Sequence, residues 1–226
     1  MTRRTNARVA GFAFLIYIAA ALPGMILSSR AAAGEGTAAK LASIAQHAPD
    51  MRVAFVLEMV GCFCALVLAV TLYAITRDVD PDLARLAMIC RVAEGVIGGA
   101  SLERILGKLW LATATGAGAP DPASANALGA FLLKLPDWMI GASFFAVGST
   151  IFAYLMLRGR IVPVALAWIG VVGSILAVVV LPLEFVGVAR GPLTQLIWAP
   201  LLVFEVWLAF YLIFKGAAMP ARRQPA

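Results

Sequence analysis

The chain has 226 residues, of which 62% are hydrophobic and 13% charged, and its mean hydropathy is +0.94. These values exclude an ordinary soluble domain and a disordered chain, and they indicate an integral membrane protein. The net charge of +6 does not point to nucleic acid, because the basic residues gather at the ends of apolar stretches rather than in a patch.

Six stretches are long enough to cross a hydrocarbon core of about 30 Å, which takes about 20 helical residues. They cover residues 9–29, 53–76, 83–113, 125–157, 162–188 and 193–215. The alternating pattern of about ten residues that marks a membrane β-barrel strand is missing. The expected fold is all-α: one six-helix transmembrane bundle over residues 1–226, with short loops.

The first stretch follows Arg3, Arg4 and Arg8. Its apolar core exceeds the roughly 7–15 residues of a signal peptide, so an uncleaved helix is expected. The loop from Arg30 to Asp50 contains the breaker Gly34-Glu35-Gly36 and then a short helix over Thr37–Gln46, placed on the membrane surface or as a cap on the bundle. Glu58 lies in the second stretch. The turn Arg77-Asp78-Val79-Asp80-Pro81-Asp82 stops one helix and starts the next, with Asp80 or Asp82 as cap and Pro81 in the first turn.

After the third stretch, Gly116 to Pro122 forms a loop and Ser124 is a candidate cap for the fourth. That stretch contains Lys134-Leu135-Pro136-Asp137-Trp138, where proline removes a backbone donor and predicts a kink. Arg158 to Pro163 makes a tight hairpin, so the fourth and fifth stretches are antiparallel neighbours. Arg190-Gly191-Pro192 closes the last loop. Arg3, Arg4, Arg8, Arg77, Arg85, Arg158, Arg160, Lys215, Arg222 and Arg223 fall on one side, against Arg30, Lys40, Arg52 and Arg190 on the other. The positive-inside rule then places both termini in the cytoplasm.

Ten charged side chains sit inside these stretches: Glu58, Arg91, Glu94, Glu103, Arg104, Lys108, Lys134, Asp137, Glu184 and Glu205. A charge at mid-bilayer costs roughly 2.5–3.5 kcal/mol on insertion scales, so such groups pair, snorkel or line a polar cavity. Counting along each helix at about 1.5 Å per residue sorts them into two layers. Four acids (Glu58, Glu103, Asp137, Glu184) and three bases (Arg104, Lys108, Lys134) form an outer layer. Arg91, Glu94 and Glu205 lie deeper. Arg91 and Glu94 are three apart on one helical face and can pair directly, whereas Glu205 has no partner within a turn of its own helix. Gly95 with Gly99, and Gly170 with Ser174, are small-residue pairs that permit close helix approach within the chain.

The residue types exclude several chemistries. His47 is the single histidine and belongs to a loop, so neither a bis-histidine haem site nor an HExxH zinc site can form. No nucleophile, base and metal set can be assembled, and the sequence leans away from an enzyme. No catalytic residue, metal or cofactor is expected. Cys62, Cys64 and Cys90 read as small buried apolar residues, and Trp110, Trp138, Trp168, Trp198 and Trp207 as interface belt and packing.

The stretch Leu83–Gly95 (LARLAMICRVAEG) resembles the third-span signature of the bacterial domain-of-unknown-function 4386 family, with its Arg and Glu three residues apart. Residues 131–170 are similar to that family's fourth span, basic turn with proline and start of the fifth. The resemblance covers most of the chain. It implies a multi-pass protein of the bacterial inner membrane with undetermined biochemical role, in which Arg91 and Glu94 match the family's charged pair. It also implies acidic and His residues around Lys134–Trp138, where this chain has Asp137 and no His.

The functional expectation is a polar intramembrane pocket formed by the ten charges and binding a small molecule or a lipid, as a sensor, carrier or stress-response component. The alternatives are a non-catalytic accessory subunit of a membrane complex and a proton-coupled transporter that uses Glu94 and Glu205. Expected partners are membrane lipid, a small-molecule ligand and either a second copy or a membrane subunit, with no nucleic acid.

Overall fold

The computed structural model describes residues 1–134, 138–189, 191 and 193–219. Among them no strand occurs. The α-helices are α1 (Arg3–Ala31), α2 (Thr37–Gln46), α3 (Ala48–Thr76), α4 (Pro81–Thr113), α5 (Pro122–Lys134), α6 (Met139–Arg158), α7 (Val164–Phe185), α8 (Leu193–Leu196) and α9 (Trp198–Phe214). The short helix expected in the first loop is α2. The kink expected at Pro136, and with it Asp137, lies outside the described residues, as do Arg190, Arg222 and Arg223.

Four segments are long and apolar enough to cross a membrane: Arg3–Ala31, Ala48–Thr76, Pro122–Arg158 and Val164–Phe185. The protein is therefore membrane-embedded. Two of the six predicted crossings do not reach that standard. Helix α4 is 33 residues long but is interrupted by Arg91, Glu94, Glu103, Arg104 and Lys108. Helix α9 is apolar but has 17 residues, about 26 Å of helix.

The chain forms two compact units. The first comprises Met1–Tyr17, Phe63–Gly95 and Met139–Ala226. Its core gathers residues from six helices: Ala7, Ala10 and Phe14 of α1, Leu68 and Leu72 of α3, Ala87 of α4, Phe152 and Met156 of α6, Leu166 and Val171 of α7, and Phe204 and Leu208 of α9. Small residues set how closely these helices approach. A Cβ at Gly11 would come within 2.6 Å of the Ala209 carbonyl oxygen, and one at Gly148 within 3.2 Å of the Ala87 oxygen. A Cβ at Gly170 would come within 2.5 Å of the Phe204 ring, so only glycine lets that ring lie against α7. The hydroxyl of Ser174 donates to the Gly170 carbonyl at 2.6 Å, which satisfies it inside the apolar core. At Gly99, by contrast, an added Cβ would meet nothing within 4 Å, so the Gly95/Gly99 pair does not mark a close approach there.

The second unit comprises Ile18–Cys62 and Val96–Trp138. Ala31, Ile44, Met51, Leu102 and Ile105 form its core. Helix α2 packs on α5, where the missing side chain of Gly129 makes room for Thr37 and Leu41.

Two Asp-Pro pairs start helices in the same way. Asp80 precedes Pro81 and accepts from the Leu83 amide at 3.2 Å; Asp121 precedes Pro122 and accepts from the amides of Ala123 and Ser124 at 3.0 and 3.1 Å. Proline at the first helical position loses no bond, because that amide has no intrahelical partner. The cap of α5 is therefore Asp121 and not Ser124, whose hydroxyl donates back to Asp121 at 2.6 Å. Asp80 also pairs with Arg158 at 3.0 Å, and Arg3 reaches both Asp78 at 3.2 Å and the Ile75 carbonyl. These contacts tie the start of α1, the α3–α4 turn and the end of α6 together. The α6–α7 hairpin closes with Ile161 donating to the Met156 carbonyl and Arg160 to that of Leu157, with Arg160 at φ 50°, the left-handed helix-ending motif in which glycine is the usual residue.

The Leu83 amide and the Arg158 guanidinium hold the Asp80 carboxyl below its ordinary value. Replacing Asp80 with Asn keeps a capping oxygen and removes the charge, whereas Ala removes both. Thermal denaturation in detergent micelles should rank wild type above Asp80→Asn and Asp80→Asn above Asp80→Ala at neutral pH. A depressed folded-state pKa contributes stability above the ordinary value of 3.8 and loses it as pH falls through the lower folded value. The gap between wild type and Asp80→Asn should accordingly close in acid.

Candidate functional site

Helix α4 projects Arg91 and Glu94 from one face, because residues three apart on a helix are neighbours. Arg91 is 1% exposed and Glu94 7%. The guanidinium Nη1 donates to Glu94 Oε2 at 2.7 Å, and the Tyr17 hydroxyl of α1 donates to Glu94 Oε1 at 3.1 Å. Glu205 of α9 is 6% exposed, and its Oε1 stands 3.9 Å from Arg91 Nη2. Three helices that are distant in the chain therefore meet at one buried ion cluster in the first unit.

Aromatic rings enclose the cation. The Arg91 guanidinium carbon lies 4.9 Å from the ring centre of Phe145 on α6, 5.8 Å from that of Phe14 and 6.0 Å from that of Tyr17. All three distances are within reach of the ring quadrupoles. The rings wall the guanidinium on these sides while still offering it electron density. With both carboxylates ionised, the cluster carries one more negative than positive charge.

The expected set divides. The structure brings Arg91, Glu94 and Glu205 together. Glu58 on α3, and Arg104 and Lys108 on α4, are half-buried in the second unit, and none of them lacks a partner. Glu103 and Lys134 are exposed. Glu184 is half-buried near the end of α7 and belongs to the first unit, whereas Glu58, Glu103, Arg104, Lys108 and Lys134 belong to the second. Among the described residues, no group of three or more His, Cys, Asp or Glu side chains could hold a metal ion.

Sequence reasoning missed Tyr17, Phe14 and Phe145. A signal for the first two exists: Phe14 and Tyr17 are three apart and so share a face of α1, a face that also carries the fully buried Ala7 and Ala10. In so apolar a chain, aromatic residues at helical spacing are commonplace, which hid their role as walls for a cation.

Long apolar helices around a buried ion cluster define a membrane-embedded helical protein. A family model described as a domain of unknown function (DUF4386) matches residues 9–216, and the chain belongs to that family. Comparisons with curated proteins and with solved structures give no match.

Glu94 accepts two hydrogen bonds and neutralises Arg91, so its truncation leaves a buried guanidinium with a single partner 3.9 Å away. Breaking a buried pair from one side costs about 3–5 kcal/mol, and losing a hydrogen bond to a charged group about 1.5–3 kcal/mol. Equilibrium unfolding in mixed micelles should show Glu94→Ala losing more stability than Tyr17→Phe. A double-mutant cycle between Tyr17→Phe and Glu94→Ala should give a coupling energy of about 1 kcal/mol or more; additivity would mean that the 3.1 Å contact contributes nothing.

Proposed function

We propose that the protein crosses the bacterial inner membrane six times with both termini in the cytoplasm, and that it works as a proton-linked sensor or carrier whose proton-binding centre is the Arg91–Glu94–Glu205 cluster. The observation that carries this reading is the charge count: two carboxylates share one guanidinium in a closed apolar surrounding. An unbalanced buried charge is costly, and a proton is the smallest group that balances it. Taking up or releasing that proton changes the attraction among α1, α4 and α9, which gives the bundle two electrostatic states.

The count of six adds α4 and α9 to the four long apolar segments. Of the charges of α4, Arg91 and Glu94 turn into the protein, and Arg104 and Lys108 are half-buried and have partners. A small organic ligand inside the cluster is a weaker reading: the cavity there measures about 10 Å³, against roughly 300–1,000 Å³ for pockets that hold such molecules.

Two measurements test the proposal. Infrared difference spectra of lipid-reconstituted protein between acid and alkaline buffer should contain a protonated-carboxyl C=O band that disappears when both Glu94 and Glu205 are Gln; a wild-type spectrum without such a band would remove the proton-linked reading. For topology, a cysteine at Arg160 on a background without the native cysteines should react with a membrane-impermeant thiol reagent only in inverted vesicles. Reaction in intact spheroplasts would reverse the orientation.

A further inference from the structure

The two acids of the cluster are held differently. Both oxygens of Glu94 accept a hydrogen bond from a side chain, one from Arg91 and one from Tyr17. Glu205 meets Arg91 only across 3.9 Å, too long for a hydrogen bond. On the other side of that gap, Arg91 Nη2 and Nε are buried and make no hydrogen bond to the described residues. A buried guanidinium that leaves two nitrogens unpartnered loses interactions worth several kcal/mol, and such groups are normally met by ordered water.

The structure holds a cavity at this place. It is about 10 Å³ in size, with Arg91, Ser149 and Glu205 on its polar side and Phe14, Phe152 and Phe204 among its apolar walls. That volume is the threshold for a single water molecule, and a water needs two to four polar partners. Three are present. A contact of 3.9 Å between a donor and an acceptor is the separation at which a bridging water is the natural question. An anion in the cavity would meet the Glu205 carboxylate, and a metal cation would meet the guanidinium, so a neutral dipole suits the wall best.

We propose that this cavity binds one internal water molecule bridging Arg91, Ser149 and Glu205, and that Glu205, through this water, is the member of the cluster that exchanges its proton. The second half rests on the proton-linked reading above; the first does not. When Glu205 is ionised, the water accepts from Arg91 Nη2 and donates to the carboxylate. When Glu205 carries the proton, its O–H donates to the water, and the water turns a hydrogen towards the Ser149 hydroxyl. The one covalent bond that forms or breaks is the carboxyl O–H, and the proton comes from and returns to bulk water. The titratable and charged groups facing Glu205 are Tyr17 from α1 and Arg91 and Glu94 from α4. Glu94 is already committed to two direct bonds, so it acts as the fixed counter-ion.

The test uses the full chain in lipid, with infrared difference spectra between acid and alkaline buffer recorded in ordinary and in oxygen-18 water. The expected result is a water O–H stretching band that shifts with oxygen-18 and is lost in Ser149→Val, which fills the space. If Ser149→Val does not fold, Ser149→Ala keeps the space, removes one partner and shifts the band. The protonated-carboxyl band should be lost at every pH in Glu205→Gln, whereas Glu94→Gln, which leaves a single carboxylate against Arg91, should show it only in more acid buffer than the wild type. Absence of any oxygen-18-sensitive band in the wild type overturns the water site, whatever the carboxyl region shows. Loss of the carboxyl band at every pH in Glu94→Gln with retention in Glu205→Gln overturns the assignment to Glu205 and leaves the proton-linked reading standing. A wild type without a carboxyl band removes that reading and the role of Glu205 with it, while an oxygen-18-sensitive band would still uphold the water site.

Discussion

A guanidinium that cannot be deprotonated and is shut off from bulk water has to be neutralised by the protein that buries it. Arg91 is nearly inaccessible and is by volume among the largest fully buried side chains of the chain. Its demands organise the first unit. Helix α4 supplies Glu94 one turn away, α9 contributes Glu205, α1 brings Tyr17 and Phe14, and α6 adds Phe145. Without the cation these helices would be held mainly by apolar packing, which in a membrane competes with lipid that is equally apolar. The cluster gives them a specific arrangement, since a guanidinium satisfies its partners only in particular directions.

Around that centre, the remaining devices solve local problems of backbone and contact. The Asp-Pro starts of α4 and α5 satisfy first-turn amides with a carboxylate and place proline where no amide is missed. The ion pairs of Arg3 and Arg158 bind chain ends and turns to one another at an exposed end of the first unit. Buried hydroxyls at Thr71, Thr76 and Ser174 bond back to carbonyls in their own helices at 2.6–2.7 Å, so they impose no demand on their neighbours.

What could be read from the sequence was whatever depends on spacing within one helix. The pairing of Arg91 with Glu94 follows from three-residue separation, and α2 follows from a glycine breaker and ten residues of helical composition. The partner of Glu205 is not readable in this way. It lies more than a hundred residues away, and only the tertiary fold of the first unit brings it close. The aromatic enclosure was hidden for a different reason: Phe14, Tyr17 and Phe145 have a composition that lipid contact explains equally well. Asp121 was passed over as a cap in favour of Ser124 because the helix was expected to begin after Pro122, whereas proline is the residue with which it begins. The number of crossings is hard to read from apolarity alone, since the charges that make α4 interesting also lower its apolarity.

One contact in the core reaches further than its size suggests. The ring of Phe204 lies against Gly170, closer than any side chain there would allow, and Phe204 is the residue immediately before Glu205. The glycine thus lets α9 lie against α7 with the ring seated. A methyl group in its place would overlap that ring, so Phe204 would have to move, and its neighbour in the chain is one of the two acids facing Arg91. The packing beside the buried centre depends in this way on an atom that is missing from a helix contributing no charge to it.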